Sequence, residues 1–181
     1  PEPQRPVIAE GETYNVLVTG IGGTGVVTVG AMITMAAHLE GRACSSVDQF
    51  GMAQKGGAVT SHIRIAEKAE DIRTVRLASG SADLLLGCDS LVAGSELALN
   101  TLRQGRTRAL VNTHEAITGQ FTRQPDLMFP ASSLAQRISR AAGKGAVDFV
   151  DATKLATTLL GDAILSNLFM LGFAYQKGLV P

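Results

Sequence analysis

The chain contains no tryptophan, and aromatic residues make up only 4% of its 181 positions. A surface that stacks bases needs aromatic rings, so single-stranded nucleic-acid binding is disfavoured. Net charge is equally absent: sixteen basic residues balance sixteen acidic ones, with no basic stripe. That excludes the electrostatic footprint of a nucleic-acid or anionic-membrane surface. Only two cysteines occur, Cys44 and Cys88, in no C-x-x-C pattern. Two thiols alone complete neither a structural zinc site nor an iron–sulfur cluster. With no signal peptide in view, they read as reduced core thiols of a cytoplasmic protein. The longest apolar stretches, around Gly25–Ala37 and Ala163–Tyr175, are too short to span a bilayer. Also missing are a Walker lysine, a nucleophile–base pair and a metal triad.

What is present is a chain with 45% hydrophobic residues, enough for one buried core. Residues Pro1 to Glu12 hold three prolines and three glutamates without apolar periodicity. This predicts a linker over 1–13, cut from a longer chain, followed by one domain over 14–181.

The domain opens on YNVLVTGIGGTG, Tyr14 to Gly25, where a short apolar strand runs into Gly20, Gly22, Gly23 and Gly25. A helix then follows from Thr24 to Leu39. A glycine turn between a strand and a helix N-terminus aims free backbone N–H groups and a positive dipole end at one point. Phosphate can bind there. The spacing Gly20-x-Gly22-x-x-Gly25 has the form of a dinucleotide fingerprint, which also wants an acid ending the second strand. That strand is expected at Arg42–Val47, and Asp48 falls in the loop beyond it. Nicotinamide binding, another phosphate contact and a purely structural turn therefore all stay open.

The Asp48–Gly57 loop carries Gln54, Lys55, Gly56 and Gly57, which would lie beside the glycine turn if the first two strands are neighbours. Gln54 and Lys55 could hold a phosphate or carboxylate, and the glycines would permit close approach. Ala58–Ala66 alternates as a strand that places Thr60, His62 and Arg64 on one face. Thr74–Leu77 is expected to pair with it as an antiparallel hairpin.

Asp83–Cys88 reads as a strand covered on both faces. Ser90–Leu102 reads as one amphipathic helix, and Arg108–Val111 as another buried strand. The latter ends in Asn112-Thr113-His114-Glu115, at the sheet edge where α/β ligands bind; His114 and Glu115 could serve acid–base chemistry or simply form a polar turn. A loop is expected over Ala116–Pro130, a serine-capped helix over Ser132–Ala142, and a strand at Val147–Val150. Asp151 should cap a helix over Ala152–Leu160.

Alternating strands and helices define a three-layer α/β/α sandwich, Rossmann-like, with a mixed but mainly parallel sheet. Two helices, Thr24–Leu39 and Ala163–Tyr175, are apolar around nearly their whole circumference. Such helices are buried all round, so their outer faces call for a partner chain or domain. Asn167 interrupts the second, and a buried amide there must be hydrogen-bonded to a nearby loop or across an interface.

GIGGTGVV, FGMAQKGGAVTSHIRI and SNLFMLGFAYQKGLVP, in that order, resemble the gamma-type domain of 2-oxoacid:ferredoxin oxidoreductases. The NTHE run and the AQKGG loop are most similar to the indolepyruvate ferredoxin oxidoreductase branch. The resemblance covers Tyr14 to Pro181. It implies participation in the oxidative decarboxylation of a 2-oxoacid such as an aryl pyruvate. Thiamine diphosphate, iron–sulfur clusters, coenzyme A and ferredoxin would take part in the whole enzyme. It implies other subunits or domains as partners, in a dimeric assembly, and no catalysis or cofactor binding by this domain alone. Gly20, Gly22, Gly23, Thr24, Gly25, Gln54, Lys55, Gly56, Gly57 and Asn167 then become candidates for contacting a cofactor or coenzyme A. The residues leave two rivals standing, a nicotinamide-dependent dehydrogenase domain and a structural dimerisation module.

Overall fold

Four short strands with apolar cores supply the sheet's parallel part. They are β1 (Tyr14–Ile21), β4 (Leu84–Gly87), β5 (Arg108–Asn112) and β6 (Val147–Val150). The computed structural model that shows this describes residues 2–51, 57–115 and 129–181. Two further strands, β2 (Ala43–Phe50) and β3 (Ala58–Ala66), complete a six-stranded sheet in the order β2-β3-β1-β4-β5-β6. β4 is buried along its full length, as a run of LLLG in a doubly covered strand should be. Only β3 runs against the rest, pairing antiparallel with β1 on one side and β2 on the other.

The expected mixed sheet is therefore present, but its reversed pair differs from expectation. β3 takes β2 as its hairpin partner, and Thr74–Leu77 is not a strand. That short segment instead folds over the sheet: Leu77 is buried, and Arg64 Nη2 donates to the Arg76 carbonyl at 3.0 Å. β2 also runs on to Phe50, so Asp48 stands in a strand rather than a loop.

Helices cover both faces. On one lie α1 (Val26–Leu39), α5 (Ala152–Leu160) and α6 (Ser166–Gln176), over a core that includes Val16, Val18, Ile63, Leu84 and Leu86. On the other lie α2 (Ser90–Ala93), α3 (Glu96–Asn100) and α4 (Ala131–Ala142), packed on Leu17, Leu85, Ala109 and Val111. The single helix expected over Ser90–Leu102 is two. Ser95 accepts from the Ala98 N–H and restarts the chain as α3, a cap being as good a beginning as it is an interruption. α4 starts at Ala131 after Pro130 without a side-chain cap, not from a serine. Asp151 does cap α5, accepting from the Lys154 N–H at 2.9 Å. Residues 2–13 form no helix or strand, yet Ile8 sits in the core and Arg5 bonds Glu40 at 2.9 Å.

The two all-apolar helices behave unlike core helices within this chain. α1 buries Val26, Val29, Ile33 and Ala37 but exposes Met32, Met35 and Leu39. Of fifteen exposed large hydrophobic side chains among the described residues, ten lie on α1, α5, α6 and the turn Ala163–Leu165. Among the described residues these side chains stay exposed, with only Arg5 reaching over Tyr175.

Candidate functional site

β1, β4 and β5 end at a common edge, and there the connections diverge: α1 leaves β1 for one face, while α2 leaves β4 for the other. A crevice opens at such a reversal. Here it is a cleft of about 370 Å³ lined by Gly23, Thr24, Asp89, Asn112, His114 and Thr153, among others.

The polar walls are held by bonds across elements. Asp89 is buried; its Oδ2 accepts from the Ile21 N–H at 2.6 Å and its Oδ1 from the Val92 N–H at 2.8 Å. One carboxylate thus fixes the end of β1 and caps α2. Burial pushes its pKa up, and the backbone N–H groups of Val92, Ile21 and Leu91 oppose that rise. Asn112 makes four bonds. Its Nδ2 donates to the Cys88 carbonyl (3.2 Å) and Thr153 Oγ1 (2.9 Å), and its Oδ1 accepts from the N–H groups of Ala152 (3.0 Å) and His114 (3.2 Å). It ties β4, β5 and the start of α5 together. Cys88, buried in the floor, has its thiol pushed up to about 12, by burial first and then by Asp89. A thiol held protonated is no nucleophile.

The glycine turn serves packing as well as the cleft. At Gly20 a Cβ would collide with Thr24 Oγ1 and Val26. This glycine lets the helix start fold back on the strand, where Thr24 Oγ1 donates to the Ile21 carbonyl at 2.7 Å. Gly25 has φ +81° and N-caps α1, and its missing Cβ is the space occupied by the Asn167 side chain. Gly22 donates its N–H to the Gly57 carbonyl at 2.9 Å, joining the turn to the start of β3. Gly23 (φ +99°) has no atom within 4 Å of a would-be Cβ and faces the cleft with Thr24.

The sequence-derived site residues therefore separate. Gly23 and Thr24 line the cleft; Gly20, Gly22 and Gly25 form the turn behind it; Gly57 is bonded to Gly22; Asn167 packs on Gly25. Gln54, Lys55 and Gly56 lie outside the described residues. Asn167 is buried at the first turn of α6, and its Oδ1 accepts from the Leu168 N–H at 2.8 Å. Asp89 and Thr153 are lining residues that sequence reasoning did not single out. An acid directly after a buried strand was a usable sign for Asp89; Thr153 carried none.

In one respect the site departs from a dinucleotide fold. There, the second parallel strand lies beside the first and presents the ribose-binding acid. Here antiparallel β3 fills that place, and Asp48 is one strand further out. Among the described residues no three His, Cys, Asp or Glu side chains converge as metal ligands, and no helix is long and apolar enough to cross a membrane.

These features define a mixed α/β sandwich with a switch-point cleft and an uncovered apolar helical layer. The profile of the pyruvate ferredoxin/flavodoxin oxidoreductase family matches residues 15–181, and the chain belongs to that family. It is 29% identical over 161 residues to indolepyruvate oxidoreductase subunit IorB of Methanothermobacter thermautotrophicus, covering 89% of this chain and 77% of that one. The IorB subunit of Archaeoglobus fulgidus is 31% identical over 116 residues, 62% of this chain and only 55% of the relative. Among solved structures, pyruvate oxidoreductase subunit PORC of Thermotoga maritima superposes with a TM-score of 0.62 at 18% identity, over 93% of this chain and 79% of its own. A 2-oxoglutarate:ferredoxin oxidoreductase from Magnetococcus marinus gives 0.60 at 15% identity, over 90% of this chain and 24% of that much longer one. Both show the same fold.

Proposed function

We propose that this chain is the gamma-type part of an indolepyruvate-type ferredoxin oxidoreductase, acting within a larger assembly and not alone. The whole enzyme would oxidatively decarboxylate an aryl 2-oxoacid, pass its electrons through iron–sulfur clusters to ferredoxin and form the acyl-coenzyme A. The observation that carries this reading is the similarity to IorB subunits along most of the chain. The uncovered helical layer supports it. That layer exposes ten large apolar side chains on neighbouring elements, where a monomer surface ordinarily shows such residues singly. Such a face fits contact with other subunits.

The thiol inventory does not fit an iron–sulfur cluster here: Cys88 is buried and Cys44 lies on the distant strand β2. Those clusters, and the thiamine diphosphate that stabilises the carbanion in such chemistry, would belong to partner subunits. The cleft does fit a phosphate group of a shared cofactor or of coenzyme A. Gly23 leaves room where a side chain would stand, and the first-turn N–H groups of α1 have no intrahelical carbonyl to serve. Gly23 and Thr24 would meet that group from this chain, and Gln54 and Lys55 are candidates for it by residue type alone.

The test is turnover of the assembled enzyme, followed as reduction of ferredoxin by indolepyruvate with coenzyme A present. Omitting this chain should abolish turnover. Lys55→Ala should lower it several-fold while the subunits still co-elute; an unaltered rate would count against the site. Binding of NAD(P)H by the chain, seen as fluorescence transfer, would favour the dehydrogenase reading instead.

A further inference from the structure

A second, smaller cavity lies on the opposite side of the sheet. It measures about 180 Å³ and is lined by Gln49, Thr60, His62, Arg76 and Asn100 over a floor of Leu17, with Leu77 and Leu97 at its sides. Cross-strand register sets its base. Gln49 stands opposite Thr60, and His62 stands opposite Leu17 on the next row, so these side chains project from one face.

Its character follows from which half of each polar group is already used. Leu77 N–H donates to His62 Nδ1 at 3.3 Å, which leaves the ring neutral with its proton on Nε2. Gln49 Oε1 is taken by Arg76 Nη2 at 2.8 Å, and Asn100 Oδ1 by Ser79 Oγ at 3.0 Å. His62 Nδ1 and the amide oxygens of Gln49 and Asn100 thus each already accept a hydrogen bond within the fold. Donors predominate in what remains: the His62 Nε2–H, the amide NH₂ groups of Gln49 and Asn100, the Thr60 hydroxyl and the rest of the Arg76 guanidinium. His62 is nine-tenths buried, and its Nε2 has only a 3.5 Å approach to Thr60 Oγ1. Among the described residues, neither Arg76 nor Arg64 has a carboxylate within ion-pair distance, whereas the nearby Arg106 is paired with Asp83 at 2.7 Å.

We propose that this cavity is a binding site for a small organic carboxylate, separate from the switch-point cleft. The acid's oxygens would take the hydrogen bonds of Arg76, Thr60 and the His62 Nε2–H, and its apolar body would lie on Leu17 and Leu97. A guanidinium fork and converging neutral donors suit an oxyanion. The apolar floor selects a carboxylate with a carbon body over a bare ion. The volume, about 180 Å³, lies below the ~300 Å³ at which sites for drug-sized ligands begin, which suits a small acid better than a nucleotide.

The experiment is a titration of the full chain with phenylacetate, acetate and inorganic phosphate, followed by amide NMR shifts. Phenylacetate should give saturable shifts at Thr60, His62, Leu77 and Asn100, with acetate weaker. Arg76→Gln alters an exposed side chain, so the fold should persist, and it should weaken phenylacetate about tenfold, as the loss of a charge-assisted hydrogen bond requires. Leu97→Ala should weaken phenylacetate and leave acetate unchanged. The absence of saturable shifts, or equal binding by Arg76→Gln, would overturn the site. Phosphate binding as tightly as phenylacetate would overturn its assignment to an organic acid.

Discussion

Replacing Gly25 by alanine separates two costs that the turn combines. The first is conformational. Gly25 has φ +81°, where a Cβ meets its own carbonyl at a cost of about 1–2 kcal/mol. The second is steric: the new Cβ would occupy the position of the Asn167 side chain amide, with Cγ only 2.7 Å away. Asn167 is buried, and swinging clear would cost its amide the bond it accepts from the Leu168 N–H. Displacing a buried amide costs a further ~1–3 kcal/mol. Gly25→Ala should therefore destabilise by about 3 kcal/mol, a fall in Tm of roughly 6–12 °C for a domain of this size. In an Asn167→Ala background the amide is gone and only the Cβ remains, 3.1 Å from the new methyl. The same change should then cost only about 1–2 kcal/mol. Urea unfolding of the two single variants and the double variant measures the difference. If the single effects add within ~0.5 kcal/mol, Gly25 and Asn167 are energetically independent and the packing account is wrong.

Three further outcomes follow from the same geometry. Asn112→Ala strips four hydrogen bonds from the junction of β4, β5 and α5 and should cost about 2–4 kcal/mol in urea unfolding; a loss below ~1 kcal/mol would refute its tying role. Burial, then Arg76 and Arg64, hold the His62 pKa below its ordinary 6.5, so the folded state takes up this proton less readily than the unfolded chain. Stability should be constant in this respect above pH 6.5 and decline as pH falls from there towards the lower folded pKa; His62→Gln should flatten that decline. Met35→Asp and Leu159→Asp change side chains that are 58% and 67% exposed. They should leave Tm within a few degrees of wild type yet abolish co-elution with the partner subunits; unchanged co-elution would remove the helical layer from the interface.

How much of this was legible in the sequence depends on how local each signal is. β4 and β5 are short apolar runs that need no distant partner to be read, and Asp151 announces α5 by a cap. The pairing of β3 was less legible, because alternation shows that a segment is a strand but not which neighbour it takes. Thr74–Leu77 has the composition of a strand, but β2 and β1 already occupy both edges of β3. The break between α2 and α3 reflects two competing caps, Asp89 and Ser95, within one apolar period. At the site, the glycine turn was visible as a motif, but the reason for Gly25 lies 142 positions away in Asn167. No spacing rule connects such a pair. The donor-rich cavity was less visible still, since its nature depends on which atoms of Gln49, His62 and Asn100 are already bonded.

The insertion of β3 between β1 and β2 also bears on how the chain folds as it is made. Residues 14–66 contain β1, α1 and both strands of the hairpin, with β3 paired along its length to each neighbour. They can form a three-stranded unit with its own helix before β4 emerges from the ribosome. The parallel strands would then add outward one at a time, each delivered by a crossover. Under native conditions this first segment should exchange its amide hydrogens as one cooperative block, and β6, at the far edge, should open more readily. The order of synthesis and the order of stability would then coincide, and the glycine turn would be set in place before the residues that enclose the cleft have been translated.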